Sequence, residues 1–205
     1  MRRHLLAVAL TLVALLLTRQ LYPYVSGNEP SVIDGYEITL VASDLGGPTC
    51  LVWANETHLL ICDRDGGAVT EYNLETQQRR TLLSGLDRPH GLALGEDEAF
   101  VSEAGKLTAY TFSEEGLFVD GRVLVDGVPV GNHQTNSVEM LPNGTLLWHS
   151  GSTCNVCDEN DVRNAALLWV NASTGEHGVF VSGVRNSFDG VWVCLLYTSD
   201  AADEQ

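Results

Sequence analysis

Basic residues are scarce in this chain. Lys and Arg number 11 against 27 Asp and Glu, a formal net charge of −16 over 205 residues. Nucleic acid and anionic lipid both bind through clustered Lys and Arg, so this balance excludes them as principal partners. Long apolar runs are scarce as well. The longest, Leu5 to Leu17, falls short of the about 20 residues that a helix uses to cross a bilayer. It follows Met1-Arg2-Arg3-His4, and a basic start before a short apolar run suits a signal h-region better than a buried core helix. No Ala-x-Ala site comes next. Thr18-Arg19-Gln20-Leu21-Tyr22-Pro23-Tyr24 stands there instead. Residues 1–24 therefore read either as a cleaved signal peptide or as a retained signal anchor helix with Tyr22 and Tyr24 at the interface. Both readings place the remainder outside the cytoplasm, secreted or membrane-anchored. Amphipathic helical periodicity is absent after residue 24, which excludes helical solenoids.

Cysteine is limited to five residues. Cys50 and Cys62 flank the turn Asn55-Glu56-Thr57-His58, and a hairpin centred on residue 56 sets them directly opposite, within disulfide reach. Cys154-Asn155-Val156-Cys157 forms a Cys-x-x-Cys loop. Zinc requires a second ligand pair at suitable spacing, and there is none. A redox site calls for a following helix, but Asp158-Glu159-Asn160-Asp161 follows. A loop-stapling Cys154–Cys157 disulfide is the better reading, and it agrees with an oxidising compartment. Asn55-Glu56-Thr57, Asn143-Gly144-Thr145 and Asn171-Ala172-Ser173 are glycosylation sequons, each in a predicted turn.

What the chain has in abundance is short alternating runs separated by turns. Residues 25–35 are a polar linker, and Tyr36 to Val41 reads as a strand that would complete a last blade and close a ring. The later runs fall into fours: Thr49–Trp53, His58–Asp63, Ala68–Tyr72, Arg79–Leu83; then Gly91–Leu94, Ala99–Glu103, Lys106–Thr111, Arg122–Val125; then Ser137–Leu141, Thr145–Ser150, Ala166–Asn171, His177–Val181. Each group opens on a similar phrase, with Pro48 and Pro89 in corresponding places. A period in the forties with four strands per unit predicts an all-β fold, a β-propeller of four-stranded blades. A β-sandwich leaves the repeated opening phrase unexplained. The units run over about 44–85, 86–129 and 130–183, with the start of another at 184–193, together a partial propeller over 36–193. Three blades cannot close a ring, so this stretch by itself is expected to be inactive. The last residues, 194–205, read as one frame of a sequencing adapter, which leaves Cys194 without a role.

Two loops stand at equivalent repeat positions before inner strands, Gly131-Asn132-His133-Gln134-Thr135 and Ser182-Gly183-Val184-Arg185-Asn186-Ser187-Phe188-Asp189. A lone His or Arg in such a loop is ordinarily a solvated surface residue. Shared position at one end of a propeller channel turns them into candidates for a single pocket, with His133 as base and Arg185 as anion clamp. His90 precedes another inner strand.

These two loops, together with Gly151-Ser152-Thr153-Cys154-Asn155-Val156-Cys157 between them, resemble the glucose/sorbosone dehydrogenase family over roughly the N-terminal half of its domain. The resemblance implies a six-bladed propeller that oxidises a sugar, polyol or aldehyde with pyrroloquinoline quinone (PQQ) and passes electrons to an external acceptor. His133 would take the hydroxyl proton, Arg185 would stabilise charge on the quinone, and Asn186 and Gln134 would bind the cofactor. His90 lies near a cofactor contact of the family. The family's Ca2+ ligands would fall in a C-terminal half beyond this sequence, so no metal residue is named. This chain departs from the family in having Asn136 where Arg often follows the His-Gln pair, and in Trp148-His149. A non-catalytic cell-surface propeller that binds a protein or glycan is the alternative. A metal-dependent lactonase would require Glu, Asn and Asp to converge on one divalent ion, and Glu139, Asn186 and Asp189 form no obvious set.

Overall fold

The computed structural model describes residues 32–133 and 136–191. The chain divides into two compact units, Met1–Val41 and Ala42–Gln205. In the first, the described residues form a turn, with Tyr36 N–H donating to Ile33 O at 3.2 Å. No strand forms over 36–41, and Tyr36 and Leu40 are exposed. The predicted ring-closing strand is therefore corrected. Alternation supplies only the two faces of a strand, and a ladder must supply the rest. The signal or anchor reading of residues 1–24, Gln134 itself and the adapter reading of 194–205 lie outside the described residues. No helix among the described residues is long and apolar enough to cross a membrane.

Among its described residues the second unit is all-β. Its first sheet comprises β1 (Pro48–Trp53), β2 (His58–Asp63), β3 (Ala68–Asn73) and β4 (Arg79–Ser84). The second comprises β5 (Gly91–Leu94), β6 (Glu98–Glu103), β7 (Lys106–Phe112) and β8 (Phe118–Val125). The third comprises β9 (Val138–Met140), β10 (Thr145–Ser150), β11 (Ala166–Asn171) and β12 (His177–Ser182). Each is an antiparallel meander in chain order, which is how propeller blades are built. The inner strands β1, β5 and β9 stand side by side. Cys50 and Cys62 are cross-strand partners, with Cα atoms 5.0 Å apart and their sulfurs bonded.

Strand β8 begins at Phe118, four residues before the alternation suggested. Asp120, at φ 51°, and Gly121 interrupt the apolar pattern there. The strand nevertheless extends, because Phe118 is buried in the core and its ring lies 5.5 Å from that of Phe112.

The middle sheet is buried on both faces, and period two explains how. Leu92, Ala99 and Val101 point one way, onto Leu60, Cys62 and Val69 of the first sheet. Their neighbours Ala93 and Phe100 point the other way, onto Leu146, Trp148 and Leu168 of the third. Each large side chain so buried contributes about 1.5–3 kcal/mol. Polar links pin the sheets together at the same seams. Trp148 Nε1–H donates to Ser102 Oγ at 2.7 Å, and Thr49 Oγ–H to Pro89 O at 2.8 Å.

Candidate functional site

In an antiparallel meander, every connection from an even to an odd strand lies at one end of its sheet. Those connections carry Arg64 (β2 to β3), Arg88 and His90 (β4 to β5) and His133 (β8 to β9); Arg185 and Asn186 follow β12. The packing of the sheets brings these ends together. Arg64, Arg88, His90, His133, Asn186 and Phe188 line one cavity of about 440 Å³. A chain poor in cations has thus gathered several of them around one opening.

His133 and Arg185 meet directly. Arg185 Nη2 lies 2.9 Å from His133 Nε2, and Asn155 Oδ1 lies 2.8 Å from the same ring nitrogen. A lone pair on Nε2 accepts from Arg185, whereas a proton there donates to Asn155. The two partners therefore serve opposite tautomers of the same ring nitrogen.

Backbone hydrogen bonds hold this arrangement from behind. Asn132 N–H donates to Thr153 O at 3.0 Å and His133 N–H to Ser152 O at 3.1 Å. On the other side, Ser152 N–H donates to Arg185 O at 3.0 Å. Residues 152–153 are thus a spine between the two loops. Glu159 holds that spine through Thr153 N–H and Oγ–H, at 2.9 and 2.6 Å. Close approach requires glycine at 131, since a Cβ there would stand 2.1 Å from Thr153 O and 2.3 Å from its Cα. The Cys154–Cys157 disulfide closes the loop that carries Asn155. With both sulfurs bonded and Glu159 engaged by Thr153, this loop serves as a staple.

Arg64 and Arg88 are each paired through Nε, to Asp65 at 2.8 Å and to Asp87 at 3.0 Å. Among the described residues, those pairs leave the terminal guanidinium nitrogens without a hydrogen bond. The hydrogen bond to Asp65 raises the pKa of Arg64, which stays charged. Burial holds the His90 imidazole below its ordinary value, and the nearby Arg64 charge adds to the effect. His90 N–H donates to Ser102 O, while its ring lies 6.3 Å from the Phe188 ring. Its buried Nδ1 has no hydrogen-bond partner among the described residues.

Asn136 is not among the residues that line the cavity. It is buried, donating through Nδ2 to Glu103 O at 3.0 Å, and so ties the third sheet to the second. The cations stand elsewhere, at Arg64 and Arg88, on turns of other sheets. Sequence reasoning passed over both because Arg-Asp-Gly and Asp-Arg-Pro look like ordinary surface turns. Their place before β3 and before the inner strand β5 was the available signal.

His149 is buried below the Arg185 loop. Its Nε2 lies 2.8 Å from Glu139 Oε2, and its Nδ1 bonds to Ser187 Oγ. Ser137 Oγ–H bridges Glu139 and Asp189, at 3.2 and 3.0 Å. Burial pushes the Asp189 carboxyl up, but hydrogen bonds involving Glu139, Gly190 and Ser137 outweigh it and hold the group low. Glu139 and Asp189 do meet, whereas Asn186 lines the cationic cavity, so the three-ligand lactonase set is not assembled.

A family model described as TrAA12-like matches residues 30–170. No curated protein matches. Among solved structures, the chain is similar to the PQQ-bound aldose sugar dehydrogenase of Streptomyces coelicolor, at 18% identity and a TM-score of 0.57, covering 66% of this chain and 47% of that one. It is also similar to a chain of a nidogen/laminin complex, at 17% identity and a TM-score of 0.56, covering 75% and 55%. The chain thus spans about half the length of these relatives. At such identities the likeness concerns the propeller fold alone.

Proposed function

This chain belongs to the TrAA12-like family, and from that premise we propose that it is part of an extracytoplasmic quinoprotein dehydrogenase that oxidises a sugar or a related alcohol or aldehyde. The observation that carries the reading is the convergence of Arg64, Arg88, His90 and His133 on one cavity, with Arg185 bonded to His133. PQQ is a planar quinone with three carboxylates, and it supplies a hydride acceptor when bound. The residues fit it in kind. Guanidinium groups of Arg64 and Arg88 would hold carboxylates, the Asn186 amide would hydrogen-bond the cofactor, and the Phe188 ring offers an apolar face. Gln134 is proposed as a further cofactor contact.

His133 is proposed as the general base. Its Nε2 is presented to the cavity with a lone pair when the proton sits on Nδ1. A substrate hydroxyl at that nitrogen would displace the Arg185 contact. The released guanidinium would then be free to steady negative charge developing nearby. Ca2+ is proposed to be bound by residues beyond this sequence, and an external acceptor to reoxidise the cofactor. The two disulfides suit an oxidising compartment.

The nidogen/laminin likeness shows that the fold alone does not choose between catalysis and binding. A non-catalytic surface propeller is the second reading, and ligand binding at the cavity is the experiment that separates the two. Titration of the full-length protein with PQQ in the presence of Ca2+, followed by quenching of tryptophan fluorescence, should show saturable binding that Arg64→Ala/Arg88→Ala weakens at least tenfold. In the full-length protein, His133→Ala should abolish dye-linked sugar oxidation with PQQ still bound. Unaltered turnover in His133→Ala would sink the assigned base. Failure of the full-length protein, supplied with Ca2+, to bind PQQ at all would favour the binding-module reading.

A further inference from the structure

The ends of the sheets opposite the cationic cavity carry a second pattern. Odd-to-even turns lie there, and three of them hold Asn-x-Ser/Thr triplets: Asn55 between β1 and β2, Asn143 between β9 and β10, and Asn171 between β11 and β12. The loops at the cavity end, over 126–137, 151–165 and 183–191, contain six asparagines, and none of these begins such a triplet. Sequons are thus present on one end of the sheets and absent from the loops of the other.

The side chains differ in the same way. At all three sequons Oδ1 accepts the N–H two residues on, from Thr57 at 2.9 Å, Thr145 at 3.1 Å and Ser173 at 2.9 Å. The amide nitrogen makes no hydrogen bond among the described residues, and all three asparagines are exposed. By contrast, Asn73, Asn136 and Asn164 spend Nδ2 inside the protein, on His58, on Glu103 O and on Pro129 O. A substituent on those nitrogens would break a contact, whereas one on Asn55, Asn143 or Asn171 would enter solvent.

We propose that Asn55, Asn143 and Asn171 are N-glycosylation sites, and that their glycans sheathe the end of the sheets opposite the cationic cavity and leave the cavity mouth bare. The donor would be an oligosaccharide on a polyprenyl diphosphate. Each Asn Nδ2 forms a bond to the anomeric carbon, the bond from that carbon to the diphosphate oxygen breaks, the lipid diphosphate leaves with the electron pair, and one amide proton passes to a base of the transferase. Six-residue strands separate the two ends by roughly 20 Å. Attached sugars therefore stand clear of any ligand approaching Arg64 and Arg88. The proposal rests on the extracytoplasmic location of the chain and is independent of the dehydrogenase reading.

The test is expression of the whole 205-residue chain in a eukaryotic secretory host, with both medium and cell lysate analysed. Glycosidase release in heavy-oxygen water, followed by peptide mass spectrometry, should find labelled Asp in place of each of the three asparagines. Asn55→Gln, Asn143→Gln and Asn171→Gln should each remove one glycan from the intact mass. Transfer takes place as the chain enters the lumen, so a poorly folding variant still reports on its remaining sites. Recovery of the three peptides from both fractions with unmodified asparagine overturns the proposal.

Discussion

At the scale of single residues, the site depends on close contacts that tolerate little change. Gly131 is the clearest case, because a methyl group there would fall on the backbone of Thr153. Gly131→Ala should push the His133 loop off the 152–153 spine and lower PQQ affinity at least tenfold, read by the same fluorescence titration. Gly127→Ala is the control, since nothing lies within 4 Å of a Cβ at that turn. Its positive φ of 67° strains the turn, yet the cavity should keep its affinity. His90 makes a prediction about pH. Burial lowers its folded-state pKa, so the unfolded chain takes up a proton first as pH falls. Its contribution is fully present above the ordinary histidine value of about 6.5 and is lost as pH falls below it. The urea midpoint should therefore drop between pH 7 and pH 5.5 by less in His90→Gln than in the parent chain. An equal drop in both would show that His90 does not carry that dependence.

At the scale of strands and loops, the disulfides act where the ladder alone is weak. Strand β1 is an inner strand whose residues Leu51 and Trp53 are exposed, and β2 is its strand partner in the first sheet. The Cys50–Cys62 bond spans 12 residues and closes that hairpin. Replacing both cysteines with Ala should cost about 2–3 kcal/mol, seen as a lower denaturant midpoint. His149 works through packing in a comparable way. It joins Glu139 of β9 to Ser187, two residues from Arg185, so it positions the arginine loop without reaching the cavity. Its change to Ala would leave a partly buried carboxylate without that partner.

At the scale of the whole molecule, the burial of the three sheets is uneven. The middle sheet is covered on both faces. The first exposes Leu51 and Trp53, at 66% and 60%, and the third exposes Phe180 and Val181, at 61% and 40%. Apolar edges of this kind favour association through the same surface that would receive a further blade. The 205-residue chain should sediment as a concentration-dependent mixture, and Leu51→Lys with Phe180→Lys should shift it toward monomer. A single monomeric boundary for the parent chain at all concentrations would show those faces to be satisfied in solution.

The all-β class, the three groups of four strands and the Cys50–Cys62 partnership were legible in the sequence. Each rests on period-two alternation and turn chemistry, which are local. Tyr36–Val41 shows the limit of the same rule, because alternation without a ladder produced no strand. The longer β8 was hidden because Asp120 and Gly121 interrupt the pattern, and only the burial of Phe118 restores it. His133, Arg185 and Asn186 were legible as members of equivalent loops, but their mutual distances were not. Whether Arg185 faces His133, and whether Asn155 shares the same nitrogen, is set by the 152–153 spine across more than fifty residues of chain. Arg64 and Arg88 joined the cavity for the same reason. Their turns look like any solvated turn, and only the packing of one sheet against the next brings their charges to a common opening. Alternation, turns and cysteine spacing act between near neighbours and are written in the chain itself, whereas the convergence of distant cations is decided by sheet-on-sheet burial, which exists only once the tertiary structure has formed.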